Sequence, residues 1–163
     1  MRVPGPLQRH HLQQRGETPR PRNDLRRFTM PRFDIPQPKG VHRPPGKYSH
    51  AARAEGPLIV VAGQVALDID GELVGENDVA AQTRQVFTNM SAVLTGAGSS
   101  YANVVEFTYY IVGRENVPGF MDARTAIFDE AYPNGDYPPA TLLVVSGLAN
   151  EDFLVEVSAL ATM

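Results

Sequence analysis

The chain has 163 residues, with no cysteine and no tryptophan, and it carries 15 Lys or Arg residues against 18 Asp or Glu residues. This length predicts one domain, and the lack of cysteine excludes disulfides, thiolate zinc sites and a cysteine nucleophile. No apolar run approaches the roughly 20 residues that cross a bilayer, and no apolar N-terminal core indicates secretion, so we expect a cytoplasmic protein without a membrane partner.

The charges are unevenly distributed along the chain. Residues 1–53 contain 12 Lys or Arg and three acids, a balance of +9, whereas residues 54–163 contain three cations and 15 acids, a balance of −12. Because binding to a phosphate backbone needs clustered Lys and Arg, we expect no nucleic-acid partner for the C-terminal two-thirds.

The N-terminal segment is dense in Pro, Arg and Gln and poor in apolar residues. Such a composition predicts a disordered basic extension over residues 1–41, followed by one folded domain over residues 42–163. Three interpretations of the extension are open: a shorter chain that begins at Met30, an arm that packs on an acidic neighbour, or a nucleic-acid-binding segment.

The first buried strand is predicted over residues 58–66, where the sequence is almost continuously apolar. Gly63 inside it indicates a bulge or a point where a ligand meets the backbone. The acidic stretch 68–72 lacks the Glu that a calcium loop carries at its twelfth position, so an Asp-Gly hairpin turn is predicted there.

Two amphipathic helices with a strand between them are predicted next. The first has an apolar stripe from Val79 to Ala97, Asn77 as its N-cap and Gly96 or Gly98 at its end. A strand follows over residues 104–112. The second helix is predicted to begin at Asn116, which would cap it, with a Pro in its first turn.

Arg124 lies on the apolar stripe of the second helix, between Phe120 and Phe128. One interpretation places it at the margin of the stripe, where its stem covers apolar atoms and its charged head reaches water. The alternative is a guanidinium that ends in a pocket and pairs with an anion. The sequence pattern leaves both open.

Two strands are predicted near the C-terminus, and the second carries a carboxylate. An apolar run follows Pro139, and an alternating run covers residues 153–161, with Glu156 between Val155 and Val157. A carboxylate is costly to bury unless it is paired, hydrogen-bonded or protonated. Glu156 therefore either faces water on an edge strand or is a carboxylate of a functional site.

Four short motifs in sequence order resemble the RidA/YjgF family of reactive-intermediate deaminases. They are Tyr48-Ser49-His50-Ala51, Ala62-Gly63-Gln64, Pro139-Ala140 before an apolar strand, and Val155-Glu156-Val157 in the last strand. The resemblance spans about residues 42–163. It implies a single α+β, chorismate-mutase-like domain, with a mixed six-stranded sheet and two helices on one face. It also implies a homotrimer with a central barrel and ligand clefts between subunits.

The resemblance also implies a chemistry and a set of site residues. Deaminating members hydrolyse imines to ammonia and a 2-keto acid without a metal or cofactor, so neither is expected here. Glu156 would be the catalytic acid–base group, Tyr48 would line the cleft, and the Gly63 backbone would meet the ligand. Those members clamp the substrate carboxylate with an Arg after the Pro-Ala pair. That position is Thr141 here, or Ala140 if the one-residue difference in length falls in the strand, and the site residue two places on is Leu143 or Leu142.

Without the clamping Arg, two functions are open. The first is a metal-free hydrolase or deaminase that acts on an imine or a related small carboxylate or carbonyl metabolite. The second is a non-catalytic protein that binds a small ligand or a partner. Arg124, approaching from the second helix, would either replace the missing clamp or form a salt bridge with Glu156 that closes the site.

Overall fold

The computed structural model describes residues 33–36 and 38–163 of the chain, and the predictions made for residues 1–32 lie outside the described residues. Six strands and two α-helices follow one another along the described chain. They are β1 (Phe33–Asp34), β2 (Arg53–Ala54), β3 (Leu58–Gln64), α1 (Val79–Gly96), β4 (Val104–Val112), α2 (Val117–Ala131), β5 (Ala140–Val145) and β6 (Val155–Thr162).

The main sheet has four strands in the order β3-β6-β4-β5. Strand β6 pairs antiparallel with β3 and β4, whereas β4 and β5 are parallel, so the sheet is mixed. The predicted α+β class is confirmed. The predicted single six-stranded sheet is not found in the described residues, since β1 and β2 form a separate antiparallel pair.

The stretch after β3 explains part of this difference, because it is too tightly turned to form strands. Leu67 and Leu73 make one isolated bridge around the predicted Asp-Gly turn. The Asp68 side chain accepts hydrogen bonds from the backbone N–H groups of Asp70 and Glu72, both at 2.9 Å. Gly71 has a φ of 83°, which suits glycine.

The hydrophobic core lies between one face of the sheet and the two helices. Strand side chains alternate between the faces, and one set of alternate residues on β4 and β6 is buried against α1 and α2. This set comprises Phe107, Tyr109, Ile111, Val155, Val157, Ala159 and Ala161. The other face of the sheet has no helix over it in the described chain, and its residues on β4 and β6 are half-buried, except Thr162 at the end of β6, which is buried.

The boundaries of α1 differ by one residue from the predicted ones. Asp78, not Asn77, is the N-cap, and its carboxylate accepts from the N–H of Ala81 at 3.0 Å. Asn77 instead adopts a positive φ of 56°, which turns the chain into the helix. The helix ends at Gly96, which was one of the two predicted ends, and Gly98 takes the left-handed conformation that follows.

A buried glutamine on α1 connects the helix to two loops. Gln82 is fully buried, and its Nε2 donates to the carbonyl oxygens of Gly75 at 3.1 Å and Asp152 at 2.9 Å. Its Oε1 accepts from the N–H of Leu154 at 2.8 Å. These bonds fix the start of β6 onto α1. Neither described helix is long and apolar enough to span a membrane.

Candidate functional site

Glu156 lies on β6, on the face of the sheet that the helices leave uncovered. It is half-buried and pairs across the strands with Tyr110 of β4. The two ion pairs among the described residues join Lys47 to Asp129 and Arg53 to Asp34, so the Glu156 carboxylate is not part of a salt bridge there. The interpretation as an edge strand is wrong, because β6 lies between β3 and β4.

Gly63 leaves the space that the Glu156 side chain occupies. A Cβ atom at residue 63 would overlap Glu156 Oε1 and would lie 2.6 Å from its Cδ and 2.9 Å from its Cγ. The pairing of β3 with β6 is irregular between Val61 and Gln64, which confirms the bulge that Gly63 predicted. The Glu156 carboxylate therefore contacts Gly63 directly, and it can take this position only because residue 63 has no side chain.

Thr141 and Leu143 of β5 lie on the same face as Glu156. Leu143 is in register with Tyr110, and Tyr110 with Glu156, so these three form a row across three strands. Thr141 begins the adjacent row, and both β5 side chains are exposed. Four predicted site residues thus share one face, and Tyr110 joins them as a residue that the sequence argument did not single out.

Arg124 lies on the opposite side of the sheet. Its guanidinium carbon is 5.5 Å from the centroid of the Tyr109 ring and 5.0 Å from that of Phe128. Tyr109 faces the helices, while its neighbour Tyr110 faces Glu156. Within a single chain the structure therefore does not join Arg124 to Glu156. Only 4% of Arg124 is exposed, so the interpretation that places its head in bulk water at the margin of the stripe is wrong.

Tyr48 accompanies Arg124, not Glu156. Both line a pocket of about 300 Å³. Its other lining residues include Tyr109, Met121, Ala140 and Leu142. The segment that carries Tyr48 is fixed beside β5, since Ser49 Oγ donates to the carbonyl of Tyr137 at 2.6 Å. The six predicted site residues thus fall into two groups, one on each face of the sheet.

Burial changes the acidity of the tyrosine in this pocket. Desolvation raises the pKa of Tyr109 well above its ordinary value, and the nearby Arg124 charge opposes that shift only in part. The Tyr109 hydroxyl is protonated at neutral pH, as an ordinary tyrosine also is. Among the described residues, no group of three or more His, Cys, Asp or Glu side chains is arranged to hold a metal ion.

Comparison with known proteins gives consistent matches over this domain. The family model described as endoribonuclease L-PSP matches residues 41–163. A RutC family protein of Synechocystis sp. is 33% identical over 121 residues, which cover 74% of this chain and 88% of that protein. The 3-aminoacrylate deaminase RutC of Acinetobacter baylyi is 30% identical over 132 residues, covering 81% of this chain and 98% of that protein.

Among solved structures, YyfB of Yersinia pestis superposes with a TM-score of 0.71 at 31% sequence identity. The match covers 81% of this chain and 99% of that chain. YyfB is described as a protein of unknown function in the conserved Rid family.

Proposed function

This chain belongs to the RidA/YjgF family, whose family model carries the name endoribonuclease L-PSP, and from that membership we propose a homotrimer that binds a small metabolite between subunits. The metabolite is a small carboxylate, carbonyl or imine compound. The observation that supports this most is the position of Glu156, a half-buried carboxylate beside a glycine on the uncovered face of the sheet.

The apolar side chains of the uncovered face support assembly through that face. Leu58 is 58% exposed and Val60 72% exposed on β3, and Leu143 is 39% exposed on β5. Burying apolar surface is favourable by about 25 cal/mol per Å², and large apolar side chains exposed on both edge strands of one face favour an interaction through that face. Three sheets that met through this face would cover these side chains and place Glu156 beside a neighbouring subunit.

The chemistry that we propose is the hydrolysis of an imine. The substrate of this step is the protonated imine, and the Glu156 carboxylate accepts a proton from a water molecule as that water adds to the imine carbon. Glu156 then returns this proton to the nitrogen of the resulting amino alcohol. The carbon–nitrogen bond breaks as ammonia leaves, and the hydroxyl group loses its proton to form the carbonyl product. General acid–base catalysis of this kind contributes about 10²- to 10⁴-fold to a rate. The named activity of the RutC relative, deamination of 3-aminoacrylate, falls in the same reaction class.

Thr141 favours a second candidate, a non-catalytic ligand-binding protein. It follows Pro139 and Ala140, and a hydroxyl cannot hold a carboxylate through two parallel bonds as a guanidinium does. A ligand on the Glu156 face would therefore be less firmly oriented for water attack. The name endoribonuclease receives less support, because residues 54–163 carry a balance of −12.

The test compares turnover with binding in the full-length protein. Ammonia release is measured from imines generated in place by an amino-acid oxidase, for the wild type, Glu156→Gln and the control Glu106→Gln, which changes another half-buried glutamate on β4. A hydrolase predicts a loss of about 100-fold or more in Glu156→Gln only. Binding of the 2-keto acid without turnover in any variant supports the second candidate. The absence of both turnover and ligand binding would refute both candidate functions.

A further inference from the structure

We propose that residues 25–32 of this chain bind, within the same subunit, in a groove that runs from the loop after α2 to the space between the two helices. The groove consists of two adjoining pockets with volumes of about 590 Å³ and about 470 Å³. No residue of the four-stranded sheet lines either pocket, so the groove is separate from the Glu156 face. The proposal therefore does not rest on the proposed function.

The first pocket lies where the described chain begins. Asp34 and Ile35 line it, as do residues 131–136. Strand β1, which ends at Asp34, is fixed against β2 by backbone pairing and by two bonds from Arg53 to the Asp34 carboxylate, at 3.0 and 2.7 Å. A segment that directly precedes β1 is thus tethered at the edge of the pocket, and a short tether costs little loop-closure entropy.

The second pocket lies between α1 and α2 and continues the first. Tyr101 and Glu130 line it, and the residue that follows each of them lines the first pocket. Its lining extends along α2 from Ala123 to Glu130, which is about 10 Å of helix. Eight extended residues span up to about 26 Å, so the segment 25–32 is long enough to enter both pockets.

The charges of the segment and the groove are complementary. Residues 25–32 contain three Arg and no acid, whereas three acids and one Arg line the two pockets. Asp34 is paired with Arg53, but Glu130 and Asp136 belong to neither ion pair of the described residues. Both are exposed, so a guanidinium of the segment can pair with each of them.

The segment also carries apolar side chains that match the groove. Its three large apolar residues are Leu25, Phe28 and Met30. The preceding residues 13–24 contain no Leu, Ile, Val, Met or aromatic residue. The groove offers apolar walls that include the rings of Tyr101 and Tyr132. Burial of apolar surface adds to the ion pairs, which are weak on their own at a surface. Residues 25–32 are therefore the part of the extension that fits both kinds of wall.

The first experiment measures burial of the segment in the full-length protein. The chain has no tryptophan, so Phe28→Trp introduces a single fluorescent reporter. We expect its emission at shorter wavelength, and its quenching by acrylamide to be weaker, than in Leu12→Trp, whose reporter lies outside the segment. Equal emission and equal quenching in these two variants would overturn the proposal.

Charge reversal in the groove tests where the segment binds. Glu130→Arg combined with Asp136→Arg removes two ion pairs and adds repulsion, and should weaken docking about tenfold or more. The emission of Phe28→Trp should then shift towards that of Leu12→Trp. The matched control combines Asp122→Arg with Glu151→Arg, two exposed acids that line neither pocket, and should cause no shift. Equal emission of the two charge variants would refute docking in this groove.

A disulfide trap identifies the contact, since the chain has no cysteine. Met30→Cys and Asn134→Cys together place one thiol in the segment and one in the wall of the first pocket. We expect oxidised glutathione to join them within one chain, and faster than in the control pair Met30→Cys and Ile69→Cys. Ile69 lies at an exposed turn outside both pockets.

The size and rate of the disulfide product decide between the possible occupants. A bond within one chain, formed faster than in the control pair, supports the proposal. A bond between two chains would assign the groove to the segment of a neighbouring copy and would overturn binding within one subunit. Equal rates in the two pairs would show that the segment does not occupy the groove.

Discussion

Gln82→Met should destabilise the fold by releasing the start of β6 from α1. The substitution preserves the length of the side chain but removes its amide. The carbonyl of Asp152 and the N–H of Leu154 would then lose their side-chain partner. The carbonyl of Gly75 would keep its other bond, from the N–H of Asp78 at 3.0 Å. Two backbone groups, not three, are therefore left without a partner.

The expected loss of stability follows from the two backbone groups that lose their partner. An unsatisfied buried polar group costs about 1–3 kcal/mol. Asp152 is exposed and Leu154 half-buried, so water can reach part of this region and the lower half of that range applies. We expect Gln82→Met to lower the free energy of unfolding by about 2–4 kcal/mol, which is about 1–2 kcal/mol for each of the two groups. The amide of Leu154 should also exchange with solvent faster, because its acceptor is gone.

Urea denaturation and amide hydrogen exchange measure these two effects. The matched control is Gln85→Met, the same substitution on the same helix. Gln85 is only half-buried and bonds mainly to the neighbouring Asn89 side chain, at 2.8 Å, so its loss should cost less than about 1 kcal/mol. Equal destabilisation by the two variants, with unchanged exchange at Leu154, would refute the role that we assign to Gln82.

Three further predictions concern the site face, the assembly and pH. Gly63→Ala should leave the stability nearly unchanged but reduce turnover about 100-fold, because the new Cβ displaces the Glu156 carboxylate; retained turnover would contradict this. If the proposed trimer forms through the uncovered face, Val60→Asp should shift the mass measured by sedimentation from that of a trimer to that of a monomer, whereas Ile69→Asp, at a turn position that is 98% exposed, should not. The contribution of the desolvated tyrosines to stability should be constant below about pH 10, the ordinary tyrosine value, and fall above it by up to about 1.4 kcal/mol per pH unit for each of them. Burial raises the pKa of three tyrosines in the folded protein, so folding favours their protonated forms. Replacing one of them by Phe should reduce the slope of alkaline destabilisation. They are Tyr101, Tyr109 and Tyr132.

The helices and main strands could be predicted because their patterns are local. The stripe on α1 places Val86, Phe87, Met90 and Leu94 in the core, and all four are buried. The helical repeat of 3.6 residues per turn defines such a stripe, whichever element packs against it. Val93 belongs to the same stripe but is 39% exposed, since a stripe has edges whose burial depends on the neighbouring element.

The contacts of polar core residues could not be predicted in the same way. Gln82 gave no signal in the sequence, because its three partners come from residues 75, 152 and 154, two of them about 70 positions away. The predicted helix cap is wrong by one residue because Asn77 and Asp78 are both good caps. The backbone decides between them, and Asn77 takes a positive φ.

The same limit applies to the site residues, which the family resemblance, not the sequence pattern, assigns to one cleft between subunits. Arg124 and Glu156 stand out because each interrupts an apolar pattern, and their opposite charges suggest a shared site. Alternation along β4 sends Tyr109 and Tyr110 to opposite faces, so the residues beside each of them cannot meet through the sheet. Whether Arg124 joins the Tyr109 side depends on the rotation of α2 about its axis, which follows from packing. Glu156 is half-buried and keeps part of its hydration, whereas Arg124 is buried. The desolvation cost of the charge is therefore greater for the arginine than for the glutamate.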